Sequence, residues 1–363
     1  MRTIRDLRLF ENVPVLVRAA LNVPVENGNV MNDYRLRRAL PTILYLRARG
    51  ARVVLIGHSG EQGTETLAGA ASALARLVSG VSFFPETVGG KVRAAVRALS
   101  PGQVLVLENL RRDKGERKND SSFARELAAL ADVFVQDSFD TCHRMHASIV
   151  GVPKFLPSYA GLLLEEEMRG LARARAPKHP ALAVIGGAKF NTKEAVLTAL
   201  LGIYDRVFVG GALANGFLKA SGKEVGKSLV SGADEHSLKK LLANPKLVLP
   251  IDSVIADGMI VDHGPKTTAL LAELAGKAKT ILWNGPLGKY EDGYSEATDG
   301  FARAVADSDA HAVIGGGDTI AAIESLGLLG RFSFVSTGGG AMLQFLANGT
   351  LPGIEALESH PSN

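Results

Sequence analysis

The chain has almost no cysteine and no long apolar run. Its single cysteine, Cys142, cannot form an intramolecular disulfide, which excludes a small disulfide-stapled module. No apolar segment approaches the roughly 18 residues that a membrane-spanning helix needs, and the start MRTIRDLRLF lacks the apolar core of a secretory signal. We therefore expect a cytoplasmic protein without a membrane partner.

The sequence also lacks the features of disordered chains and of repeat proteins. With 46% hydrophobic and 21% charged residues, the composition lacks the polar bias of disordered chains. No low-complexity tract and no repeat of roughly 20 to 50 residues is present, which disfavours a solenoid. Because 363 residues exceed what one hydrophobic core usually holds, the length predicts two domains.

Charge is divided unevenly along the chain, although the net charge is only +4. Residues 1–160 contain 22 Lys and Arg against 15 Asp and Glu, whereas the remainder contains 19 against 22. A basic half would suit nucleic acid, a membrane surface or a small anionic metabolite. Since no aromatic residues are interleaved with the basic ones, single-stranded nucleic acid is disfavoured, and we expect no nucleic-acid partner.

Two periodicities alternate along the chain. Helical patterns lie between short apolar runs of the kind that form buried strands. These runs stand at 13–19, 51–57, 103–109, 131–137, 181–187, 205–211, 246–252, 279–285, 310–317 and 332–340. Runs without apolar and polar alternation favour parallel sheets covered on both faces, so both halves are predicted to be α/β.

Glycine clusters end the predicted strands of the second half. Three glycines precede Asp318 at a predicted helix start, where their amides can approach an anion. Asp318 would cap the helix or bind the Mg²⁺ of a nucleotide. Lys189 and Lys193, four residues apart, would hold a polyphosphate or lie on a solvated helix face. The spacing matches neither a P-loop nor a dinucleotide-binding glycine motif, which disfavours a dehydrogenase.

The segment 282–291 adds a second candidate for the same ligand. Glu291 follows an Asn-Gly-Pro turn and would accept hydrogen bonds from ribose hydroxyls, or it is an ordinary loop carboxylate. The lone tryptophan, Trp283, is predicted to belong to the core.

Basic and polar side chains follow the predicted strands of the first half. They are Arg18, Asn22, Arg35, His58, Arg111, His143, Arg144 and His146. Guanidinium groups that converge from several strand ends suit a small dianion or carboxylate, because each can bind two oxygens. A metal site at His143 and His146 is disfavoured, since no cysteine or carboxylate is suitably spaced.

With these motifs in this order, the sequence resembles the phosphoglycerate kinase family over nearly its whole length. The matching segments are residues 13–24, ALPTILYL, LENLR, HRMHAS, GGAK, GPKT, WNGP, GGGDT and STGGGA. The resemblance implies two doubly wound, Rossmann-like parallel-sheet domains joined by a hinge. It implies a 3-phosphoglycerate domain at 1–155 with the tail 350–363 docking back, a hinge helix region at 156–174, and a nucleotide domain at 175–349.

The resemblance also implies the activity and its residues. The activity is reversible phosphoryl transfer in glycolysis, between 1,3-bisphosphoglycerate with ADP and 3-phosphoglycerate with ATP, by a monomer that uses Mg²⁺ with the nucleotide. The acid would be bound by Arg18, Asn22, Arg35, His58, Arg111 and Arg144. The nucleotide would be bound by Gly187, Lys193, Gly211, Asn284, Glu291, Gly316, Gly317, Asp318 and Thr319. Catalysis is assigned to Arg35, Lys189 and Lys193, and Mg²⁺ to Asp318.

Two positions of the triose site depart from the family pattern. Ala20 stands where the R-x-D-x-N motif has aspartate, and Glu61 stands where the H-L-G-R motif has arginine. The first change would leave a substrate hydroxyl unpaired, and the second reverses a local charge. The segment 252–263 is also shorter than in the family. Two alternatives therefore stay open: a related kinase that acts on another carboxylate, and a catalytically weak nucleotide-binding protein.

Overall fold

The computed structural model describes residues 1–7, 11–188, 193–230, 232 and 234–358. The chain divides into two compact units, Met1–Met168 with Thr350–Asn363, and Arg169–Gly349. The first unit therefore contains both ends of the chain, whereas the second is one continuous segment.

A six-stranded parallel sheet forms the centre of the first unit. Its strands are β1 (Pro14–Arg18), β4 (Arg52–Ile56), β5 (Val81–Phe84), β6 (Val104–Leu107), β7 (Val133–Gln136) and β8 (Ser158–Ala160), and a hairpin adds β2 (Val25–Glu26) and β3 (Asn29–Val30). The order across the sheet is β5-β6-β4-β1-β7-β8, with every neighbouring pair parallel. The helices are α1 (Tyr34–Arg47), α2 (Ala68–Leu77), α3 (Gly90–Arg97), α4 (Lys114–Lys118), α5 (Ser121–Ala128), α6 (Leu162–Arg175) and, near the end of the chain, α14 (Pro352–Glu358). Helix α6 continues into the second unit.

The second unit repeats this architecture. Its strands are β9 (Ala181–Ile185), β10 (Arg206–Val209), β11 (Leu247–Val248), β12 (Ser253–Ala256), β13 (Met259–His263), β14 (Thr280–Asn284), β15 (His311–Gly315) and β16 (Phe334–Ser336). The parallel sheet has the order β11-β10-β9-β14-β15-β16, and β12 and β13 form a separate antiparallel pair. The helices are α7 (Glu194–Ile203), α8 (Gly211–Ala220), α9 (Glu235–Leu242), α10 (Pro265–Lys277), α11 (Glu296–Ala306), α12 (Gly317–Ser325) and α13 (Gly339–Asn348).

Branched aliphatic residues form the central strands because both faces of each sheet are covered. In β1 and β4, Val15, Val17, Val53 and Leu55 are fully buried, and β9 is buried along its whole length. Each such side chain contributes roughly 1.5–3 kcal/mol when it leaves water. Trp283 of β14 is also fully buried and donates its indole hydrogen to the Gly285 carbonyl at 2.8 Å. The predicted parallel α/β architecture is confirmed.

The strand order reverses at the first strand of each sheet. β1 lies between β4 and β7, and β9 lies between β10 and β14. In open α/β sheets, ligands bind outside the carboxyl ends of the strands at such a reversal. The topology therefore places one candidate ligand site in each unit, where the loops after these strands converge.

Two short hairpins are not predicted by the apolar runs of the sequence, because their strands are short and partly exposed. The turn between β2 and β3 is Asn27-Gly28, with φ of 49° and 79°, and the turn between β12 and β13 is Asp257-Gly258, with φ of 51° and 77°. Asn-Gly and Asp-Gly with positive φ at both positions are typical of two-residue hairpin turns. The second hairpin lies within the segment 252–263, which the sequence analysis predicts to be shorter than in the family.

Candidate active site

The first unit gathers its basic residues at one edge of the sheet. Arg18 ends β1, His58 follows β4, Arg111 follows β6 and Arg144 follows β7. These strands are neighbours in the order β6-β4-β1-β7. Because parallel strands end at the same edge, side chains that lie up to about 130 positions apart in the sequence meet there.

Arg18 is a buried residue that holds its neighbours in place. It is 1% exposed, and its Nε donates to Ser148 Oγ at 3.1 Å while one terminal nitrogen donates to the Ala19 carbonyl at 2.9 Å. The other terminal nitrogen lies 3.0 Å from His58 Nδ1. With its donors directed at protein atoms, Arg18 positions His58 and Ser148, and its predicted contact with substrate stays a prediction.

His58 is a neutral hydrogen-bond donor in this cluster. A guanidinium group has no acceptor, so His58 Nδ1 must accept from Arg18, which leaves the ring proton on Nε2. Burial, together with the guanidinium groups of Arg18, Arg111, Arg35 and Arg144, holds the pKa of His58 far below its usual range. The imidazole therefore contributes a donor without adding a further charge.

Arg111 and Arg144 supply the positive charge of the site. Arg111 donates to the Gly60 carbonyl at 2.5 Å, and its buried Nε lacks a hydrogen-bond partner in the described part of the chain. Burial and the nearby guanidinium groups of Arg144 and Arg18 lower the pKa of Arg111 to about 10, so it remains charged at neutral pH. Several guanidinium groups close together beside an unpaired donor indicate an anion-binding site.

Arg35 and Asn22 join two loops at the same edge. Arg35, at the start of α1, donates to the Asn22 carbonyl at 2.7 Å, and Asn22 Oδ1 accepts from the Gly60 amide at 3.1 Å. The loop after β1 is therefore fixed to the loop after β4. The structure thus brings all six predicted acid-binding residues to one sheet edge, with Arg144 exposed and Arg18 buried.

Glu116 is a member of this cluster that the sequence analysis missed. It is fully buried in α4, and it accepts from the amide and the hydroxyl of Ser148 at 2.9 and 2.6 Å. Ser148 Oγ in turn accepts from Arg18, so the serine links the buried carboxylate to the buried guanidinium. In the sequence, Glu116 lies within a run of charged residues, and that local pattern is typical of a solvent-exposed helix.

The second unit places backbone amides and small residues at the ends of its strands. Gly187, Gly211 and Gly316 have φ of 89°, 61° and 103°, which favour glycine. A Cβ on Gly211 would lie 2.8 Å from the Gly187 amide nitrogen, and one on Gly339 would lie 2.9 Å from Gly316 Cα. The loops therefore pack backbone against backbone, and any side chain at these positions would force them apart.

Lys193 directs its ammonium group at these loops. It is the residue before α7, is 9% exposed and donates from Nζ to the Gly186 carbonyl. Burial lowers the pKa of Lys193 to about 8, so the group is still mostly charged at neutral pH. The other predicted lysine, Lys189, lies outside the described residues.

Asn284 presents an unpaired donor beside the glycine loops. It is 4% exposed, and its Nδ2 has no hydrogen-bond partner among the residues that the structure describes. That nitrogen lies 3.4 Å from the position of a Cβ on Gly316 and 4.0 Å from one on Gly339. Leaving a buried donor unpaired costs roughly 1–3 kcal/mol, which a phosphate or hydroxyl oxygen of a ligand would offset.

The remaining residues that are predicted to bind the nucleotide are either buried or exposed. Thr319 is fully buried and accepts from the Gly285 amide at 2.8 Å, so it fixes the loop after β14 to α12. Gly317 and Asp318 are exposed in the first turn of α12, and Glu291 is exposed in a short 3₁₀ segment, Tyr290–Asp292. Asp318 is therefore accessible to an ion carried by a bound nucleotide.

His263 is a second buried residue that the sequence analysis missed. It ends β13, is 3% exposed, and its Nε2 accepts from the Gly211 amide at 3.1 Å. Its ring packs edge-on against Phe208 with 5.6 Å between centroids. Burial lowers the pKa of His263 to about 4, so a neutral imidazole positions the Gly211 loop.

A magnesium ion with a nucleotide fits this residue set. No group of three or more His, Cys, Asp or Glu side chains arranged for a metal occurs within the described ranges. Mg²⁺ that travels with a nucleotide needs only one or two carboxylates besides the phosphates. Asp318 meets that requirement, since it is exposed at a helix start beside the glycine loops.

Comparison with known proteins decides the family. A family model described as phosphoglycerate kinase matches residues 4–349. The chain belongs to the phosphoglycerate kinase family. The resemblance inferred from the motifs is confirmed, and with it the enzyme class, an ATP-dependent phosphotransferase.

Relatives and solved structures cover nearly the whole chain. The phosphoglycerate kinase of Moorella thermoacetica is 43% identical, and the match covers 98% of this chain and 98% of that protein. The Thermus thermophilus protein is 42% identical over 99% of this chain and 100% of its own length. The crystal structure of the Pyrococcus horikoshii enzyme superimposes with a TM-score of 0.90 at 31% identity, covering 99% and 98% of the two chains. For the Coxiella burnetii structure the TM-score is 0.83 at 38% identity, with 98% of each chain covered.

This member of the phosphoglycerate kinase family has a shorter chain than one of its relatives. The alignment with the Moorella protein extends over 390 positions, more than the 363 residues present here, so that relative has segments that this chain lacks. Ala20 is buried and Glu61 is exposed. Within the described residues, none of the helices is long and apolar enough to cross a bilayer.

Proposed function

We propose that the protein catalyses reversible phosphoryl transfer between 1,3-bisphosphoglycerate with ADP and 3-phosphoglycerate with ATP. The observation that carries the proposal is the convergence of Arg35, Arg111 and Arg144 on a neutral His58 at one sheet edge. Such a site binds a small acid with several negative oxygens, because charged donors surround a group that adds no charge of its own.

In the first unit, the proposal gives each residue a separate task. Arg111 and Arg144 bind the anionic groups of the acid, and His58 donates its Nε2 hydrogen to an oxygen. Asn22 fixes the loop at Gly60 and offers its amide to the acid. Arg18 acts through His58 and Ser148 as a positioning residue.

In the second unit, the proposal assigns the nucleotide to the glycine loops. The amides around Gly187, Gly211, Gly316 and Gly317 approach the phosphates, and Asn284 donates its unpaired hydrogen to a ligand oxygen. Thr319 fixes the loop after β14, because its hydroxyl accepts a hydrogen bond from the Gly285 amide. Glu291 accepts from the ribose hydroxyls. Asp318 would hold the Mg²⁺ of the nucleotide, and the ion would supply positive charge to the phosphate oxygens.

Transfer needs little covalent assistance from the protein. A carboxylate oxygen of the acid forms a bond to the γ-phosphorus of ATP, and the bond from that phosphorus to the bridging oxygen breaks to release ADP. The reaction therefore depends on orientation and on neutralising the charge of the transferring group. We assign the charge neutralisation to Arg35 and Lys193, with Lys189 as a further cation.

We also propose that the protein is a cytoplasmic monomer with a hinge between its two domains. The predicted hinge region 156–174 contains most of α6, which begins at Leu162. Light scattering of the purified protein would test the monomer.

A second acceptor remains a candidate because of one observation. Ala20 is buried and apolar where the family pattern has aspartate, so a hydroxyl of 3-phosphoglycerate loses that partner. A related acid without this hydroxyl would suffer no such loss. The second candidate is therefore a kinase for another small carboxylate, with the same nucleotide site.

A coupled assay tests the proposal. The protein is supplied with Mg-ATP and 3-phosphoglycerate, and ADP formation is followed for the wild type. We expect turnover at rates typical of enzymes, of the order of 1–10³ s⁻¹. Absence of turnover with 3-phosphoglycerate, together with turnover of another phosphorylated carboxylate, would favour the second candidate. If calorimetry finds Mg-ADP binding but no acid is phosphorylated, the protein is a nucleotide-binding member without catalysis.

A further inference from the structure

A cavity of about 750 Å³ lies beside the acid site of the first unit. Its lining includes Asn22, Arg35, Gly60, Glu65, Thr66 and Ser72. Two of these, Asn22 and Arg35, are residues to which the family resemblance gives a place in the triose site. The cavity is therefore continuous with the part of the site that would hold the acid.

The carboxylate of Glu65, which lines this cavity, lies next to Gly60. A methyl group built on Gly60 would overlap the carboxylate of Glu65, so the two residues are in direct contact. Gly60 is also the residue to which Asn22 and Arg111 bind, through its amide at 3.1 Å and its carbonyl at 2.5 Å. A carboxylate, an amide and a guanidinium group thus meet around one glycine.

The backbone on both sides of Glu65 is fixed by buried groups. Asn109, which is fully buried, donates from Nδ2 to the Glu65 carbonyl and to the Ser59 carbonyl, each at 2.8 Å. Glu108 accepts from the Thr66 hydroxyl at 2.8 Å and from the Leu67 amide at 2.9 Å. Glu65 is therefore presented by a rigid loop, although its own side chain is exposed.

The neighbouring acid on the same loop differs from Glu65 in its position. Glu61 is exposed and is not among the described residues that line the cavity, and Ala20 is buried at 1% exposure. The carboxylate that the family motif has at position 20 is thus absent, while Glu65 brings another to the cavity from a different loop. The Glu65 carboxylate contacts Gly60 and lines the same cavity as Asn22 and Arg35, so an acid bound at these two residues would lie within the cavity that Glu65 lines.

We infer that Glu65 determines acceptor specificity by accepting a hydrogen bond from the hydroxyl adjacent to the carboxyl group of the bound acid. The inference rests on the proposed function, because it concerns the acid that the enzyme phosphorylates. A hydroxyl is required because Glu65 offers only acceptor oxygens to it, and an acid without this donor gains nothing from the carboxylate.

The experiment compares two acids in the wild type and in Glu65→Ala. The acids are 3-phosphoglycerate and 3-phosphonooxypropanoate, which lacks the hydroxyl, and the measured quantity is kcat/KM with Mg-ATP. The wild type is expected to prefer the hydroxy acid by roughly 10- to 100-fold, as for a hydrogen bond to a charged group. In Glu65→Ala, kcat/KM should fall for 3-phosphoglycerate and stay the same for the acid without the hydroxyl, so most of this preference should be lost. Calorimetry should show the same selective loss in the binding of 3-phosphoglycerate.

The control is Glu126→Ala, which removes an exposed carboxylate of α5 that does not line the cavity. It should leave the ratio between the two acids unchanged, and thermal melting should show that both variants are folded. Equal preference in the wild type and Glu65→Ala would overturn the inference while the proposed function stands. A wild type without preference between the acids would also overturn it. If the wild type phosphorylates neither acid, the proposed function fails, and this inference fails with it.

Discussion

For single side chains, burial decides which groups of the two sites carry charge. His58 and His263 are kept neutral, whereas Arg111, with a pKa of about 10, and Lys193, with a pKa of about 8, remain charged at neutral pH. The neutral imidazoles orient neighbouring groups, and the cations supply the positive charge that binding of an anion needs. This division of tasks follows from the cost of burying a charge without a partner.

Lys193→Ala is expected to abolish most of the phosphoryl transfer without unfolding the protein. Because Lys193 supplies a charge to the transferring group, kcat should fall by roughly 10²- to 10³-fold. The thermal transition should change little, because the lysine lies before α7 and its ammonium group binds a loop carbonyl instead of packing in the hydrophobic core. The control is Lys240→Ala, at an exposed position of α9. A kcat near that of the wild type would remove Lys193 from the catalytic residues.

Nucleotide affinity is expected to fall above about pH 8. Burial lowers the pKa of Lys193 to about 8, so the ammonium group loses its proton above that pH and no longer attracts a phosphate. Calorimetric titration of Mg-ADP between pH 7 and pH 10 would show weaker binding on the alkaline side. In Lys193→Ala the same titration should be flat across this range. An alkaline loss of equal size in the variant would assign it to another group.

At the level of secondary structure, the start of α6 shows how a buried acid can hold a helix end. The amides of Leu163 and Leu164 donate to Asp137 Oδ1 at 3.0 and 3.3 Å, and the amide of Leu162 donates to Thr42. A helix N-terminus favours a negative charge, yet Asp137 is fully buried, and burial raises its pKa to about 7. Desolvation therefore outweighs the favourable hydrogen bonds.

Asp137→Asn is expected to remove a pH dependence of stability. Between the ordinary value of 3.8 and about 7, folded Asp137 binds a proton that the unfolded chain has released. The free energy of unfolding therefore falls as pH rises through this window, by a few kcal/mol as an order of magnitude. Urea unfolding at pH 5 and pH 8 should show a smaller difference in the variant, because asparagine does not titrate. An unchanged difference would show that Asp137 does not account for it.

The predicted elements show where local patterns suffice. Runs such as 13–19 and 51–57 correspond to β1 and β4 within two residues, because buried strands are continuous apolar segments. β5 was missed because it is an edge strand with partly exposed side chains. The two hairpins have strands too short for a periodicity to be visible, although their Asn-Gly and Asp-Gly turns were present in the sequence.

In the whole molecule, the C-terminal segment belongs to the first unit. The last described helix, α14 (Pro352–Glu358), buries Ile354 and Leu357 at 3% and 2% exposure. The Gly353 amide donates to the Cys142 carbonyl at 2.8 Å, so the segment is attached close to Arg144 of the acid site. Residues 359–363 of the predicted tail lie outside the described residues.

Leu357→Ala is expected to destabilise the first unit selectively. Removing a buried leucine side chain costs about 2–5 kcal/mol, and the affected core is that of the first unit. Hydrogen exchange should show earlier loss of protection in β1, β4 and β7 than in β9 and β14. Leu44→Ala, at an exposed position of α1, is the control. Equal loss in both units would show that they unfold together.

By itself, the sequence determined the α/β class, the positions of the central strands, the glycine loops and the family, because strand periodicity and short motifs are local properties. Tertiary structure alone decided which of the predicted site residues lie together, and which residues that were not predicted join them. Arg18 and Ser148 are 130 positions apart, yet together with Glu116 they form one buried network, and His263 and Glu65 take their neighbours from other loops. The physical reason is that burial and hydrogen-bond partners depend on residues that are distant in the chain and meet only when the sheet edges form.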